Sequence, residues 1–222
     1  SRVNLNSKIS SQDIKQFGSA LEAGRDLKVG AGRDINAIAS QIDAKRDIAM
    51  AATDNLTLAS AANEQHSGYN SKKLKIQEDH VQQVSTTLKA GGDVALSAGQ
   101  DLALIASRVT AGDEAYLVSG KNLELKSAED QDYSFYSKTK KSSSGKKFRL
   151  DETDSTTNIG SLVTSGGNST LVAGENLLLA GSGVNAEKGT AKLVAGEDVQ
   201  ILAVSDSDSA RHERKQSKSS WG

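Results

Sequence analysis

The chain has 222 residues and a formal net charge of −1, from 27 Lys+Arg against 28 Asp+Glu, with 20 glycines, no cysteine and no proline. The missing cysteine excludes a disulfide scaffold and a Cys-bound metal site, and near-zero net charge argues against a nucleic-acid binder, whose affinity comes from neutralised phosphates. A chain this long ordinarily carries about ten prolines at a frequency of ~5%, and its 4% aromatics leave few large anchors for one thick core, so many thin layers fit better.

No apolar run approaches the ~20 residues of a membrane span and no signal peptide opens the chain; Ser1–Ser10 read as a cut inside a longer protein. Residues 1–20 read as an incoming strand or a partial excursion. A short string then recurs, beginning at Ala23 (AGRD), Ala31 (AGRD), Ala44 (AKRD) and Ala52 (ATDN). It returns at Ala90 (AGGD), Ala98 (AGQD), Ala111 (AGDE) and Ser119 (SGKN), and again at Ser165 (SGGN), Ala173 (AGEN), Ala186 (AEKG) and Ala195 (AGED). The steps are 8, 13 and 8 in the first two groups and 8, 13 and 9 in the third, so 8 + 13 makes a 21-residue unit present as three tandem pairs.

Each unit reads as turns followed by short strands. Gly24, Gly32, Gly91, Gly99, Gly174 and Gly196 supply the second turn position, where the expected reason for glycine is φ > 0. Asp26, Asp34, Asp93, Asp101, Asn176 and Asp198 supply the fourth, where the side chain is expected to close the turn on a backbone N–H two residues on. Apolar residues two apart follow, as in Leu27/Val29, Leu56/Leu58, Leu102/Leu104, Leu123/Leu125, Leu177/Leu179 and Val199/Ile201. Period two means strands with one face buried. A third apolar stretch follows around Ile38–Ile42, Ile105–Val109 and Ala180–Val184. Two or three strands per 21 residues describe one rung of an all-β parallel solenoid, in which stacking buries what one rung cannot; proline would break the ladder nearly everywhere.

The predicted organisation is two rungs over 21–60, an excursion or third rung over 61–86, two rungs over 87–128, an excursion or third rung over 129–158, two rungs over 159–204 and a truncated excursion over 205–222. Three rungs would need 3 × 21 = 63 residues, whereas the groups start 67 and 75 apart. Each excursion is therefore either a third rung with extra loop residues or a hairpin or arm projecting from the stack. If the excursions stack on one side, they form a basic stripe repeating every three rungs, roughly 14 Å.

The excursions concentrate the aromatics and cations: Tyr69, Lys72, Lys73, Tyr133, Phe135, Tyr136, Lys138, Lys140, Lys141, Arg211, Arg214 and Lys215 are the candidate contact residues, with Lys75, Lys146, Lys147, Arg149 and Lys218 beside them. Such a stripe suits phosphates of lipopolysaccharide, sulfated glycans or an outer-membrane protein. The alternative is soluble decoration that prevents lateral aggregation, with Glu78, Asp79, Asp151, Glu152 and Asp154 partly cancelling the field. His66, His80 and His212 read as solvated loop residues rather than metal ligands. The Asp/Asn ladder reads as structural turns rather than a calcium array, which needs a nine-residue GGxGxDxUx period. No irregular carboxylate cluster of the kind a β-helix glycosidase or lyase needs interrupts the repeat, so no catalytic residue, cofactor or metal is expected. Tyr116 is expected to face outward.

STLVAGENLLLAGSGVNAEKGTAKLVAGEDVQILAV (Ser169–Val204) and TTLKAGGDVALSAGQDLALIASRVTAGDEAYLVSGKNLELKSAEDQ (Thr86–Gln131) resemble the haemagglutinin repeat of filamentous-haemagglutinin-type exoproteins over almost the whole chain. The resemblance implies a right-handed parallel β-helix in a long secreted protein of a Gram-negative bacterium, exported through an outer-membrane transporter partner. It implies an adhesin, or the stalk of a contact-dependent growth inhibition toxin, held at the cell surface or in the periplasm before delivery. In the toxins this repeat forms the second haemagglutinin region, which implies a role in passing a C-terminal toxin across the target cell outer membrane; a passive spacer in a host-cell adhesin is the alternative. Lys45, Thr53 and Glu187 in place of the turn glycine, and Glu114 and Gly189 in place of the Asp, depart from the pattern. Lack of cysteine and of slow X-Pro isomerisation suits a chain threaded unfolded through an oxidising periplasm.

Overall fold

The structure, a computed structural model, describes residues 7–143 and 145–218; the outer ends of segments 1–20 and 205–222, with Trp221, lie outside the described residues. Strand β1 (Lys8–Ile14) precedes the coil. Rung 1 is β2 (Ala20–Ala23), β3 (Leu27–Ala31) and β4 (Ile35–Ile38), and rung 2 is β5 (Gln41–Ala44), β6 (Ile48–Ala52) and β7 (Leu56–Ala59). A hairpin of β8 (Ala61–Asn70) and β9 (Leu74–Val84) follows. Rung 3 is β10 (Thr87–Ala90), β11 (Val94–Ala98) and β12 (Leu102–Ile105), and rung 4 is β13 (Arg108–Ala111), β14 (Ala115–Ser119) and β15 (Leu123–Lys126). A longer hairpin, β16 (Ala128–Ser142) and β17 (Gly145–Ile159), comes next. Rung 5 is β18 (Leu162–Ser165), β19 (Ser169–Ala173) and β20 (Leu177–Ala180), rung 6 is β21 (Gly183–Ala186), β22 (Ala191–Ala195) and β23 (Val199–Leu202), and β24 (Ser207–Lys218) closes the series.

Three parallel six-stranded sheets each take one strand from every rung, in rung order, which makes the coil a parallel β-helix. The period-two leucines fill its interior. Leu56, Leu102, Leu123 and Leu177 align across β7, β12, β15 and β20, and all are at most 1% exposed. Val199 and Ile201 continue these columns on rung 6 and are exposed, because no described rung covers them. Tyr116 points outward, as expected, at 39% exposure.

The turn glycines serve a different purpose from the one predicted. Among the described residues positive φ occurs only at Ala39, Ala106, Gly145 and Gly181, none of them a turn glycine of the repeat. What the turns require is close stacking: a Cβ on Gly120 would lie 2.0 Å from the Gly99 carbonyl oxygen, and one on Gly174 2.0 Å from that of Gly120. Every turn of rungs 3–5 has glycine here, while the departures fall on rungs 2 and 6. The Asp/Asn side chains likewise act between rungs rather than within a turn. The Asp93 amide donates to Asp47 Oδ1 (3.0 Å), the Glu114 amide to Asp93 Oδ1 (2.9 Å) and the Asn122 amide to Asp101 Oδ1 (3.1 Å). The second column runs Asp34, Asn55, Asp101, Asn122, Asn176, Asp198, so amides largely separate the carboxylates and donate to them, as Asn55 Nδ2 does to Asp34 Oδ1 (3.0 Å).

The excursions add no third turn to the coil. The two over 61–86 and 129–158 are antiparallel hairpins leaving the corner between the third and first sheets, and with the single strands β1 and β24 they pair side by side into a fourth, antiparallel sheet, β1-β8-β9-β16-β17-β24. They recur every second rung, about 10 Å apart, not every third. Two hairpin strands span the same height as two rungs, since neighbouring strands lie about 4.8 Å apart in both, so the hairpin sheet and the coil rise together without strain. On the alternate rungs the same corner is closed by Ala39 (φ 48°), Ala106 (φ 45°) and Gly181 (φ 57°) in left-handed conformation. Buried hydroxyls fix the hairpin roots: Thr86 Oγ1 donates to the Ala59 carbonyl (2.7 Å) and Ser161 Oγ to that of Lys126 (2.8 Å).

Candidate functional site

Residues directly opposite in antiparallel strands share a face, so the register of the hairpin sheet sorts the candidate contact residues. One face carries the row Ile9, Tyr69, Ile76, Tyr136, Asp151, His212, and beyond it, away from the coil, Leu74, Lys138, Arg149, Arg214 and then Lys140, Lys147, Gln216. The Arg149 guanidinium lies over the Tyr136 ring, 5.6 Å from its centroid. Tyr133, Phe135, Lys141, Arg211 and Lys215 fall on the opposite face, and Lys72 and Lys73 in the turn between β8 and β9. The structure therefore brings Tyr69, Tyr136, Lys138, Lys140 and Arg214 together and separates them from the other candidates. Ile9 and Ile76, which continue the aromatic row, carry no sequence signal of their own.

The carboxylates expected to cancel the basic field sit nearer the coil, where Asp79, Asp151, Glu152 and Asp154 accept hydrogen bonds. Glu152 accepts from the Tyr133 hydroxyl (3.0 Å), and Asp151 from Arg149. The three histidines are strand residues, not loop residues, each facing an Asp on the adjoining strand. His66 Nδ1 meets Asp79 Oδ1 at 2.8 Å within the first hairpin; His80 meets Asp132 (2.6 Å) and His212 meets Asp151 (2.9 Å) across the seams between hairpins. Among the described residues no group of three or more His, Asp or Glu side chains is placed to hold a metal ion.

The His66 imidazole is raised above its usual range, first by its hydrogen bond to Asp79 and then by Glu64. Burial pushes the Asp79 carboxyl up, but hydrogen bonds from Gln77 and His66 outweigh it and leave the group below the usual carboxylate range. A raised histidine adds stability that is complete below its unfolded value of 6.5 and is lost as pH rises through the folded value; a lowered carboxyl adds stability that is lost as pH falls through its own folded value. The first hairpin is therefore tightest in mildly acidic solution, with both groups charged. Amide hydrogen exchange of β8 and β9 should quicken as pH rises above 6.5, after correction for intrinsic exchange, and His66→Gln should flatten that trend. Unchanged pH dependence in the variant would contradict this.

The hemagglutinin-repeat family model matches residues 4–77, 67–151 and 143–222, three overlapping copies that span almost the whole chain. The chain belongs to the haemagglutinin-repeat family. It is 35% identical over 166 residues to the 16S rRNA endonuclease CdiA of Enterobacter cloacae, covering 73% of this chain and 5% of that protein. The Deoxyribonuclease CdiA of Dickeya dadantii is 34% identical over 173 residues, covering 76% of this chain and 5% of its own length. The tRNA nuclease CdiA of Escherichia coli is 32% identical over 206 residues, covering 90% and 6%. The haemagglutinin-repeat chain thus spans about a twentieth of the curated relatives it matches. No solved structure matches it. The boundaries of the three matches each reach one hairpin: the first ends within β9, the second within β17, and the third takes in β24. A family copy is therefore two rungs with the hairpin sheet strands that accompany them.

Proposed function

We propose that this chain is a stalk segment of a large secreted exoprotein of the contact-dependent growth inhibition type, exported through an outer-membrane transporter and displayed at the cell surface. In this reading the coil extends the molecule, and the hairpin sheet contacts the target outer membrane while a C-terminal toxin is delivered. The segment does no catalysis of its own. The observation that carries the reading is the regular alternation of paired rungs with strands of the hairpin sheet through the described residues, in a family whose matched relatives bear nuclease names. A segment that repeats the same residue types at every level extends and presents; a catalytic site would break the pattern.

The corners make the test clean. Removing 61–85 joins Ser60 to Thr86, the same two-residue link that Ala39 and Ser40 make between β4 and β5. Ser60 already donates its amide to the Ile105 carbonyl (3.0 Å), as Ala39 does to Ala59 (3.0 Å). Removing 128–160 joins Ser127 to Ser161 in the same way. An exoprotein carrying both deletions should keep a β-rich, protease-resistant coil and lose growth inhibition of neighbouring cells. Unchanged inhibition would leave the segment a passive spacer.

A further inference from the structure

We propose that the end of the hairpin sheet farthest from the coil is a docking edge for a membrane surface dense in phosphate groups. The proposal rests on the target-contact reading above and names the chemistry of that contact. Strands β16 and β17 run past the end of β9, whose first residue Leu74 pairs with Lys138; the Thr139 amide still donates to the Lys73 carbonyl in the turn of the first hairpin (2.8 Å), and Lys140–Ser142 with their β17 partners extend beyond the β9 register. From Lys138 to Arg149, from Arg214 to Lys218 and in the 71–73 turn, every charged side chain is a cation.

The register then sets like charges face to face. Lys140 pairs with Lys147, Lys141 with Lys146, and Lys138 with Arg149, which pairs in turn with Arg214. Opposed like charges, with Cβ atoms about 4.5–5.5 Å apart, destabilise a sheet. Closer to the coil the same strands oppose His to Asp instead. A sheet serving only its own stability would continue that pattern to its end. Of the distal cations, only Arg149 and Lys215 make an ion pair among the described residues, each with a carboxylate at the inner border of the zone. The rest form an array spaced about 5 Å across strands and about 7 Å along them. Phosphate groups packed side by side would relieve that repulsion, and the Arg214 guanidinium offers its fork to one of them.

The shape of the zone favours a flat partner over a threadlike one. A 580 Å³ groove on one face is lined in part by Tyr136, Lys138, Lys140, Lys147, Arg149 and Arg214. Lys141 and Lys146 lie on the other face and Lys72 and Lys73 in the turn. Cations on both faces and around the end converge on something met end-on. Leu74 and Phe148 are the only large apolar side chains there among the described residues, and both are half-buried, so contact stays at the level of the headgroups and weakens with salt.

The test is binding of the whole chain to vesicles of phosphatidylglycerol in phosphatidylcholine, against phosphatidylcholine alone and against heparin in solution. The unaltered chain should bind the anionic vesicles and release them as salt rises. Lys140→Glu/Lys147→Glu should bind roughly 30-fold more weakly or worse, whereas Lys89→Glu/Lys121→Glu, which reverses two exposed charges on the coil, should bind as before. Lys140→Glu alone puts an opposite charge across from Lys147, so it should steady the sheet while still weakening binding, which a purely structural role would not do. Equal binding to both vesicle types, undiminished binding of the double variant, or binding to heparin with none to vesicles would overturn the proposal. Vesicle binding needs neither toxin nor target cell, so its failure leaves the stalk reading to the hairpin deletions.

Discussion

Gly120→Val is expected to abolish the cooperative unfolding transition of the full coil, whereas Gly24→Val should shift stability by no more than about 0.5 kcal/mol. At Gly120 the obstacle is the backbone of the neighbouring turn on rung 3. A Cβ there would sit 2.0 Å from the Gly99 oxygen and 2.9 Å from its carbonyl carbon, and the Gly120 oxygen itself lies 2.0 Å from where a Cβ on Gly174 would stand. A flexible side chain could swing aside; the Gly99 carbonyl cannot, because its turn is tied to the rungs on either side, the Gly99 amide donating to Ala52 (3.1 Å) and the Gly120 amide to Ala98 (3.0 Å). Relief requires rungs 3 and 4 to separate at this turn. Coil stability is close to a sum of interfaces between neighbouring rungs, so a break between rungs 3 and 4 divides the stack near its middle, at a cost of about 4 kcal/mol or more. A Cβ on Gly24 would meet nothing within 4 Å. Urea denaturation followed by circular dichroism compares the two variants, and equal midpoints would refute the stacking account.

The contrast between these glycines also marks where sequence reasoning stops. The 21-residue period and the paired leucines were legible, because inward columns demand the same residue type at every rung and the columns Leu56–Leu102–Leu123–Leu177 and Leu58–Leu104–Leu125–Leu179 supply it. The need for glycine at the turns was legible as well, but not its cause: positive φ and close stacking both ask for a missing Cβ, and only coordinates separate them. The Asp and Asn side chains were placed correctly in the turns and assigned the wrong partner, since a bond to the next rung crosses 21 residues or more of sequence. The hairpins were legible as one of two readings of the extra length, and nothing in the pattern decided between them. With water on both faces their strands lack an apolar alternation, so Ala61–Asn70 carries no strong strand signal. The partners that fix the histidines stand 13, 52 and 61 residues away. The basic residues were identified, but their segregation from the acidic ones depends on register, which composition cannot supply.

Leu104→Ala should cost the fold about 3–5 kcal/mol, against less than about 1 kcal/mol for Ile201→Ala. Both side chains belong to one inward column, Leu58–Leu104–Leu125–Leu179–Ile201. Leu104 is 0% exposed between Leu58 and Leu125, themselves at 0%, whereas Ile201 is 70% exposed. Truncating Leu104 loses its transfer free energy and leaves a cavity that cannot collapse, because the backbones above and below are held by the ladders at fixed spacing. Truncating Ile201 removes atoms that water already reaches. Leu104→Asp should be worse still, since the interior offers a carboxylate no partner. The comparison isolates stacking, because the column, the face and the strand position are the same, the two side chains are isomers of equal size, and among the described residues a covering rung lies over Leu104 and not over Ile201. If urea midpoints show Leu104→Ala to be no more damaging than Ile201→Ala, then the rungs do not shield one another, and neither the coil nor the hairpin sheet that rises with it has the support described above.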